Sequence, residues 1–287
     1  MDKNLLQRLI SGFIYGLVIV LCTTPLGADF IGKIFPDLKQ FQLYYGLIVF
    51  FVIAGTWECI RIMDFGRGWE RWLVYPASLY VFYLFSKRYF SESFTYEPNF
   101  SDLMSLLLIL IICVTLFRFT KELLVDSGKL IFTVIYVALT FGFALALPSF
   151  SDGTFTLEAF MVFILIWSSD SFAYFSGRMF GKHKMAPKIS PKKTWEGFAG
   201  GVILTLILGF FIEKYYPGLR GNWMVIGLLV SIFAPVGDLV ESQLKRTFGV
   251  KDSGNIIPGH GGILDRLDSF IICAPVVYLY FILENLI

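Results

Sequence analysis

Nine apolar runs divide the 287 residues, at roughly 9–26, 41–61, 72–86, 103–118, 130–148, 157–176, 197–213, 223–240 and 267–286. A helix needs about 20 apolar residues to cross a bilayer, and there it satisfies its own backbone polar groups. Repeated runs of this length predict an all-α integral membrane protein, a polytopic bundle of about nine transmembrane helices. Composition agrees: only 16% of residues are charged and the mean hydropathy is +0.70, whereas a soluble domain is about a quarter charged. Pro76, Pro235 and Pro275 fall inside runs, where they can kink a membrane helix without excluding it. Lys3 and Arg8 precede the first run, but no small-residue cleavage site stands out, so that run is expected to be a retained helix. No soluble domain of useful size is left over. Cys22, Cys59, Cys113 and Cys273 each stand alone in apolar sequence, which argues against a disulfide scaffold or a cysteine zinc site.

The net charge of +2 says little, but its distribution orients the chain. With nine spans and the N-terminus inside, 18 of the 24 Lys and Arg residues fall on the cytoplasmic side. They are Lys3, Arg8, Arg61, Arg67, Arg71, Arg118, Lys121, Lys129, Arg178, Lys182, Lys184, Lys188, Lys192, Lys193, Lys245, Arg246, Lys251 and Arg266. Lys33, Lys39, Lys87, Arg88, Lys214 and Arg220 fall outside. This imbalance follows the positive-inside tendency. It places the two richest polar loops, 177–196 and 241–262, on one face.

The first loop follows Asp170, an ionisable residue within an apolar run and hence a functional candidate or an interfacial cap paired with Arg178. Ser190-Pro191, with Glu196 further on, resembles a helix start with proline in the first turn. Lys192, Lys193 and Thr194 would then lie at the positive end of a helix dipole, a natural phosphate site. The two lysines read equally as membrane-surface charge, and Gly197, Gly200 and Gly201 as close helix packing. His183 sits in a basic loop and reads as solvated.

The second constellation starts inside the eighth run. Asp238 and Ser242 share a helical face, and Glu241 is close to it. Asp265 and Asp268 share another if the ninth helix begins near Ile263. Carboxylates brought together from two helices make a hard oxygen site suited to Mg²⁺; pairing with Arg246 and Arg266 is the competing reading. Gly259-His260-Gly261-Gly262 offers backbone N–H groups to an anion, among Lys245, Arg246, Lys251 and Arg266.

The stretch from Ser242 to Asp268 resembles the signature of the phosphatidate cytidylyltransferase family, also called CDP-diacylglycerol synthases. Ser242, Leu244, Lys245-Arg246, Lys251-Asp252, Gly254, Ile257-Pro258, His260-Gly261-Gly262, Asp265-Arg266 and Asp268 fill each fixed position. Ser190-Pro191-Lys192-Lys193-Thr194 with Glu196-Gly197, and Asp170 before Gly177-Arg178, are also similar to the family. The resemblance covers about the last 120 residues well and the first 155 only as generic spans.

It implies transfer of the cytidylyl group of CTP to phosphatidate, giving CDP-diacylglycerol and pyrophosphate in phospholipid biosynthesis. Catalytic roles are implied for Lys245, Arg246, Lys251, Asp252, His260, Arg266 and Asp268. Substrate binding is implied for Ser190, Lys192, Lys193, Thr194, Glu196, Ser242, Gly261 and Gly262. Metal binding is implied for Asp238, Asp265 and Asp170. Mg²⁺ is the implied cofactor, with a second metal ion left open. The implied partners are CTP, phosphatidate, membrane lipids and a second copy in a homodimer, with no nucleic acid. Residues 1–155, about five spans, would form a scaffold with a dimer or lipid-facing role. Residues 156–287 would carry the catalytic region, facing the cytoplasm.

Two rivals stand beside this expectation. A different CTP-dependent membrane enzyme would share metal and phosphate residues and differ in its lipid. A transporter of an anionic solute would fit intramembrane Asp170 and Asp238 with a broken helix, but no internal repeat relates the halves.

Overall fold

The computed structural model describes residues 3–66, 68–87, 100–117, 125–148, 150–151 and 154–284. Arg67, Arg88, Arg118 and Lys121 of the charge count lie outside the described residues, as do the last residues of the fourth and ninth runs. The helices are α1 (Lys3–Thr23), the short α2 (Leu26–Ile31), α3 (Gln40–Ile62), α4 (Glu70–Ser86) and α5 (Phe100–Leu116). They continue with α6 (Asp126–Thr133), α7 (Thr140–Ala144), α8 (Glu158–Phe180), α9 (Trp195–Tyr215), α10 (Trp223–Thr247) and α11 (Leu264–Glu284). Each of the nine apolar runs is helical. Seven form helices long and apolar enough to cross a membrane. The runs at 72–86 and 103–118 form α4 and α5, of 17 residues each.

The fifth run is a single rod: α6 passes through a π-helical turn, Val134–Leu139, into α7. A widened turn frees carbonyls from their usual partners. The Thr140 hydroxyl lies 2.6 Å from the Tyr136 carbonyl and 3.0 Å from that of Val137, and so serves them. Pro76, Pro235 and Pro275 are all inside helices.

The core gathers around α11, most of whose length is buried. Phe270 stacks on Phe163 of α8 with ring centroids 4.2 Å apart, and Tyr278 packs on Phe143 of α7 at 4.6 Å. Apolar packing alone gives helices little preference over lipid, so close approach and buried polar ties matter. Tyr278 donates to Asp102 of α5 at 2.8 Å. A Cβ added at Gly237 of α10 would stand 2.4 Å from the Asp268 carbonyl. Only glycine lets α10 and α11 approach this closely. Gly197 and Gly201 on α9 meet Ala173 of α8 in the same way, in line with the packing reading of those glycines.

Two short antiparallel hairpins complete the fold. The first joins β1 (Phe150–Ser151) to β2 (Thr154–Phe155). The second joins β3 (Lys184–Ala186) to β4 (Ser190–Thr194), with Lys184 opposite Thr194 and Ala186 opposite Ser190. This corrects the expected helix start at Ser190. Residues 190–194 are extended, and α9 begins at Trp195 with Thr194 as its cap. The Thr194 hydroxyl accepts the Gly197 N–H at 3.2 Å. Proline is compatible with the edge of a two-stranded hairpin, so Pro191 did not mark the helix.

Candidate active site

The C-terminal ends of α8 and α10 and the N-terminal ends of α9 and α11 meet at one end of the bundle, where the two polar loops close together. The β3–β4 hairpin is fastened there by Glu196, whose carboxylate accepts the backbone N–H groups of Lys182, at 3.0 Å, and His183, at 3.1 Å. The His183 ring lies 2.5 Å from the same carboxylate. So held, β4 delivers Lys193 to α10. The Lys193 ammonium is 2.7 Å from Asp238 and donates to the Pro235 carbonyl at 3.0 Å. Asp238 also accepts the Ser242 hydroxyl at 3.0 Å, one turn along the same helix. A cavity of about 390 Å³ opens here, lined by Asp170, Arg178, Ser190, Lys192, Lys193 and Asp238 among others.

The glycine-rich segment between α10 and α11 is shaped by backbone and carboxylates. Gly259 and Gly261 adopt φ of 77° and 88°, a region side chains avoid. Asp265 accepts the N–H groups of Ser253, at 2.9 Å, and Gly262, at 2.8 Å, while its other oxygen is 2.6 Å from the Lys245 ammonium. Lys245 also pairs with fully buried Glu241. From α3 comes Glu58, also fully buried. It accepts the N–H groups of Ile263 and Leu264, each at 2.8 Å, and the Ser253 hydroxyl at 2.9 Å.

Arg266 donates through Nε and Nη2 to the His260 carbonyl, at 3.2 and 3.0 Å. The His260 ring lies 2.7 Å from the Ser11 hydroxyl of α1. Burial, then Arg266 and Arg8, holds the imidazole below its ordinary pKa. It is therefore neutral near pH 7. A cavity of about 540 Å³ is lined by Arg8, Lys251, Asp252, His260, Gly261 and Arg266 among others. Another, of about 380 Å³, includes Tyr15, Asp170, His260, Asp265, Arg266 and Asp268. Asp170 thus lines both this cavity and the one beside Lys192 and Lys193.

Asp170, Asp238 and Asp268 are electrostatic neighbours, with Lys193 among them. They present hard oxygens from α8, α10 and α11 toward open space. Among the described residues, no three His, Cys, Asp or Glu side chains stand together at metal-ligand spacing. Mg²⁺, the cofactor implied by the resemblance, would need only one or two carboxylates, with water and substrate phosphate completing its shell.

The residues singled out in the sequence therefore separate. Asp170, Asp238, Asp268, Lys192, Lys193 and Arg266 surround open cavities. Lys251, Asp252, His260 and Gly261 line the cavity beside them. Lys245 and Asp265 are engaged with each other and with the loop, Asp265 also lines the cavity that holds Asp170 and Asp268, and Asp268 is the electrostatic neighbour of Asp238. Arg246 turns to the Val250 carbonyl at 3.3 Å, at the end of α10. Thr194 and Glu196 set the hairpin, Ser242 orients Asp238, and Gly262 gives Glu58 and Ser253 room, since a Cβ there would lie 2.0 Å from the Ser253 hydroxyl. Sequence reasoning passed over Glu58, Arg8, Ser11 and Tyr15. Glu58 carried the signal that singled out Asp170, an acid inside an apolar run.

Cation-lined cavities meet at carboxylates on the ends of helices long and apolar enough to cross a membrane, which define a multi-pass membrane protein. The cytidylyltransferase family model matches residues 7–283, and the chain belongs to that family. It is 44% identical over 160 residues to the phosphatidate cytidylyltransferase of Bacillus subtilis (strain 168), covering 55% of this chain and 58% of that protein. It is 44% identical over 155 residues to that of Staphylococcus aureus (strain COL), covering 53% and 58%. It is 52% identical over 127 residues to that of Haemophilus influenzae (strain ATCC 51907 / DSM 11121 / KW20 / Rd), covering 42% and 44%. The matches span about half the length of these curated relatives.

Proposed function

We propose that this chain transfers the cytidylyl group of CTP to phosphatidate, forming CDP-diacylglycerol and releasing pyrophosphate. The observation that carries the reading is the junction at Asp170 of two cavities, one lined by Lys192 and Lys193 and the other by Arg266. Two anionic substrates need two cationic sites that share a reacting point. A lipid phosphate oxygen bonds to the α-phosphorus of CTP, while the bond from that phosphorus to the bridging oxygen breaks and its electron pair leaves with pyrophosphate. A phosphate monoester is already nucleophilic at pH 7, so no side-chain nucleophile is required. Lys192, Lys193, Arg178 and Arg266 offset the repulsion between the anions and the charge that develops on the leaving group.

Mg²⁺ held by one or two of Asp170, Asp238, Asp265 and Asp268 would add Lewis-acid screening of the phosphoryl oxygens; a second ion belongs to the same proposal. The site would face the cytoplasm, as the Lys and Arg imbalance favours. The homodimer is also part of the reading, and the site residues named here all come from one chain. The purified chain, given CTP and phosphatidate, should make a CDP-lipid and one pyrophosphate per turnover. Nucleotide-independent uptake of an anion into proteoliposomes, without lipid product, would favour a transporter instead. Lys184→Cys, on the exposed hairpin, should resist a membrane-impermeant thiol reagent added to intact cells.

A further inference from the structure

We propose that phosphatidate binds between α1, α3 and the glycine loop, with its phosphate beside Arg8 and Arg266 and one acyl chain along α1, and that CTP takes the Lys192–Lys193 cavity. This rests on the cytidylyl-transfer reading and adds the division of the site between its substrates.

A groove of about 620 Å³ runs beside the site, lined by α1, by Leu47, Phe50 and Phe51 of α3, and by Ile256–Pro258 and Ile263 of the loop. Leu6, Ile10, Ile14 and Val18 recur every four residues, which places them in one stripe along α1. All four are exposed, Ile14 at 53%. Twelve residues of helix advance about 18 Å, slightly more than one leaflet of a hydrocarbon core about 30 Å thick. The groove therefore has the depth of one acyl chain measured from the interface.

Its polar end makes the occupant specific. Ile257 and Pro258 line both the groove and the cavity that contains Arg8, Lys251 and Arg266, and Tyr15 lines both the groove and the carboxylate cavity. A ligand that fills both must carry a phosphate-like anion at one end and a long apolar chain at the other. The Lys192–Lys193 cavity does not border this groove and suits the more polar substrate. The two would meet at Asp170.

The test is photolabelling of the purified chain in nanodiscs with phosphatidate carrying a diazirine in mid-chain. The label should fall on peptides containing Ile10, Ile14, Val18 or Phe50, and unlabelled phosphatidate should compete it while phosphatidylcholine does not. Ile14→Trp, which fills the groove from the lipid side, and Arg8→Ala should each raise KM for phosphatidate about tenfold or more, with KM for CTP within about twofold. Label on α1 that phosphatidylcholine removes equally well marks bulk lipid contact and overturns the proposal. So does competed label confined to α9, or wild-type KM for phosphatidate in both variants. Absence of any CDP-lipid from the wild-type chain overturns the functional reading instead; specific competition on α1 would then still establish the groove as a phosphatidate site.

Discussion

Two carboxylate clusters lie side by side at one end of this bundle, and they are built oppositely. In the closed cluster, Glu58, Glu241 and Asp265 receive Lys245, the Ser253 hydroxyl and four backbone N–H groups, those of Ser253, Gly262, Ile263 and Leu264. In the open cluster, Asp170, Asp238 and Asp268 face cavities, and Lys193 is the cation among them. Buried carboxylates tied to a lysine and to backbone N–H groups hold a loop in place. Carboxylates with spare acceptor capacity beside open space are free to meet a metal or a substrate. The signature residues divide between these two settings, with Asp265 at the border of both.

The largest effect should come from opening the closed cluster. Lys245→Met leaves Glu241 and Asp265 without their cation, and removing one partner of a buried pair costs about 3–5 kcal/mol. A large fall in thermal midpoint in detergent is expected, together with lost activity; an unchanged midpoint would break the distinction. In the open cluster, Asp238→Asn should lower kcat about a hundredfold, or about 2.7 kcal/mol in the barrier. Its pair with Lys193 is partly exposed, and such pairs contribute about 0–1 kcal/mol to stability, so the midpoint should barely move. Arg266→Lys sits between the two. It keeps the charge but loses the fork that grips the His260 carbonyl, and KM for phosphatidate should rise about tenfold while KM for CTP stays near wild type.

The smallest effect concerns pH. The His260 pKa is depressed in the folded chain, so the unfolded chain binds the extra proton first. Stability should be fully present above the ordinary histidine value and fall as pH drops from there through the lower folded pKa. His260→Gln should flatten that slope, seen as a thermal midpoint less sensitive to mild acid.

The bundle was legible in the sequence because the length and spacing of apolar runs are set by the bilayer itself. The runs at 72–86 and 103–118 were found even though their helices are shorter than the other seven. Local signals misled where a distant contact decided the outcome. Ser190-Pro191 resembles a helix start, yet Glu196 reaches back to residues 182 and 183 and closes a hairpin there instead. The surroundings of Asp265 were hidden for a similar reason. Spacing puts Asp265 and Asp268 on one face, but only the fold shows that Lys245 and Gly262 occupy the first and leave the second beside Asp238. Glu58 bonds to residues 195 and more positions away, which no local pattern reveals, although an acid inside an apolar run was visible from the start.

The most direct test of the central claim uses CTP labelled on its α-phosphate, phosphatidate vesicles and the purified chain, with Mg²⁺ present or chelated. Label should enter lipid with Mg²⁺, enter little without it, and enter at least about a hundredfold less in Asp238→Asn that remains folded. Label in lipid at the wild-type rate from Asp238→Asn, or from the wild type with all divalent metal removed, would contradict that claim.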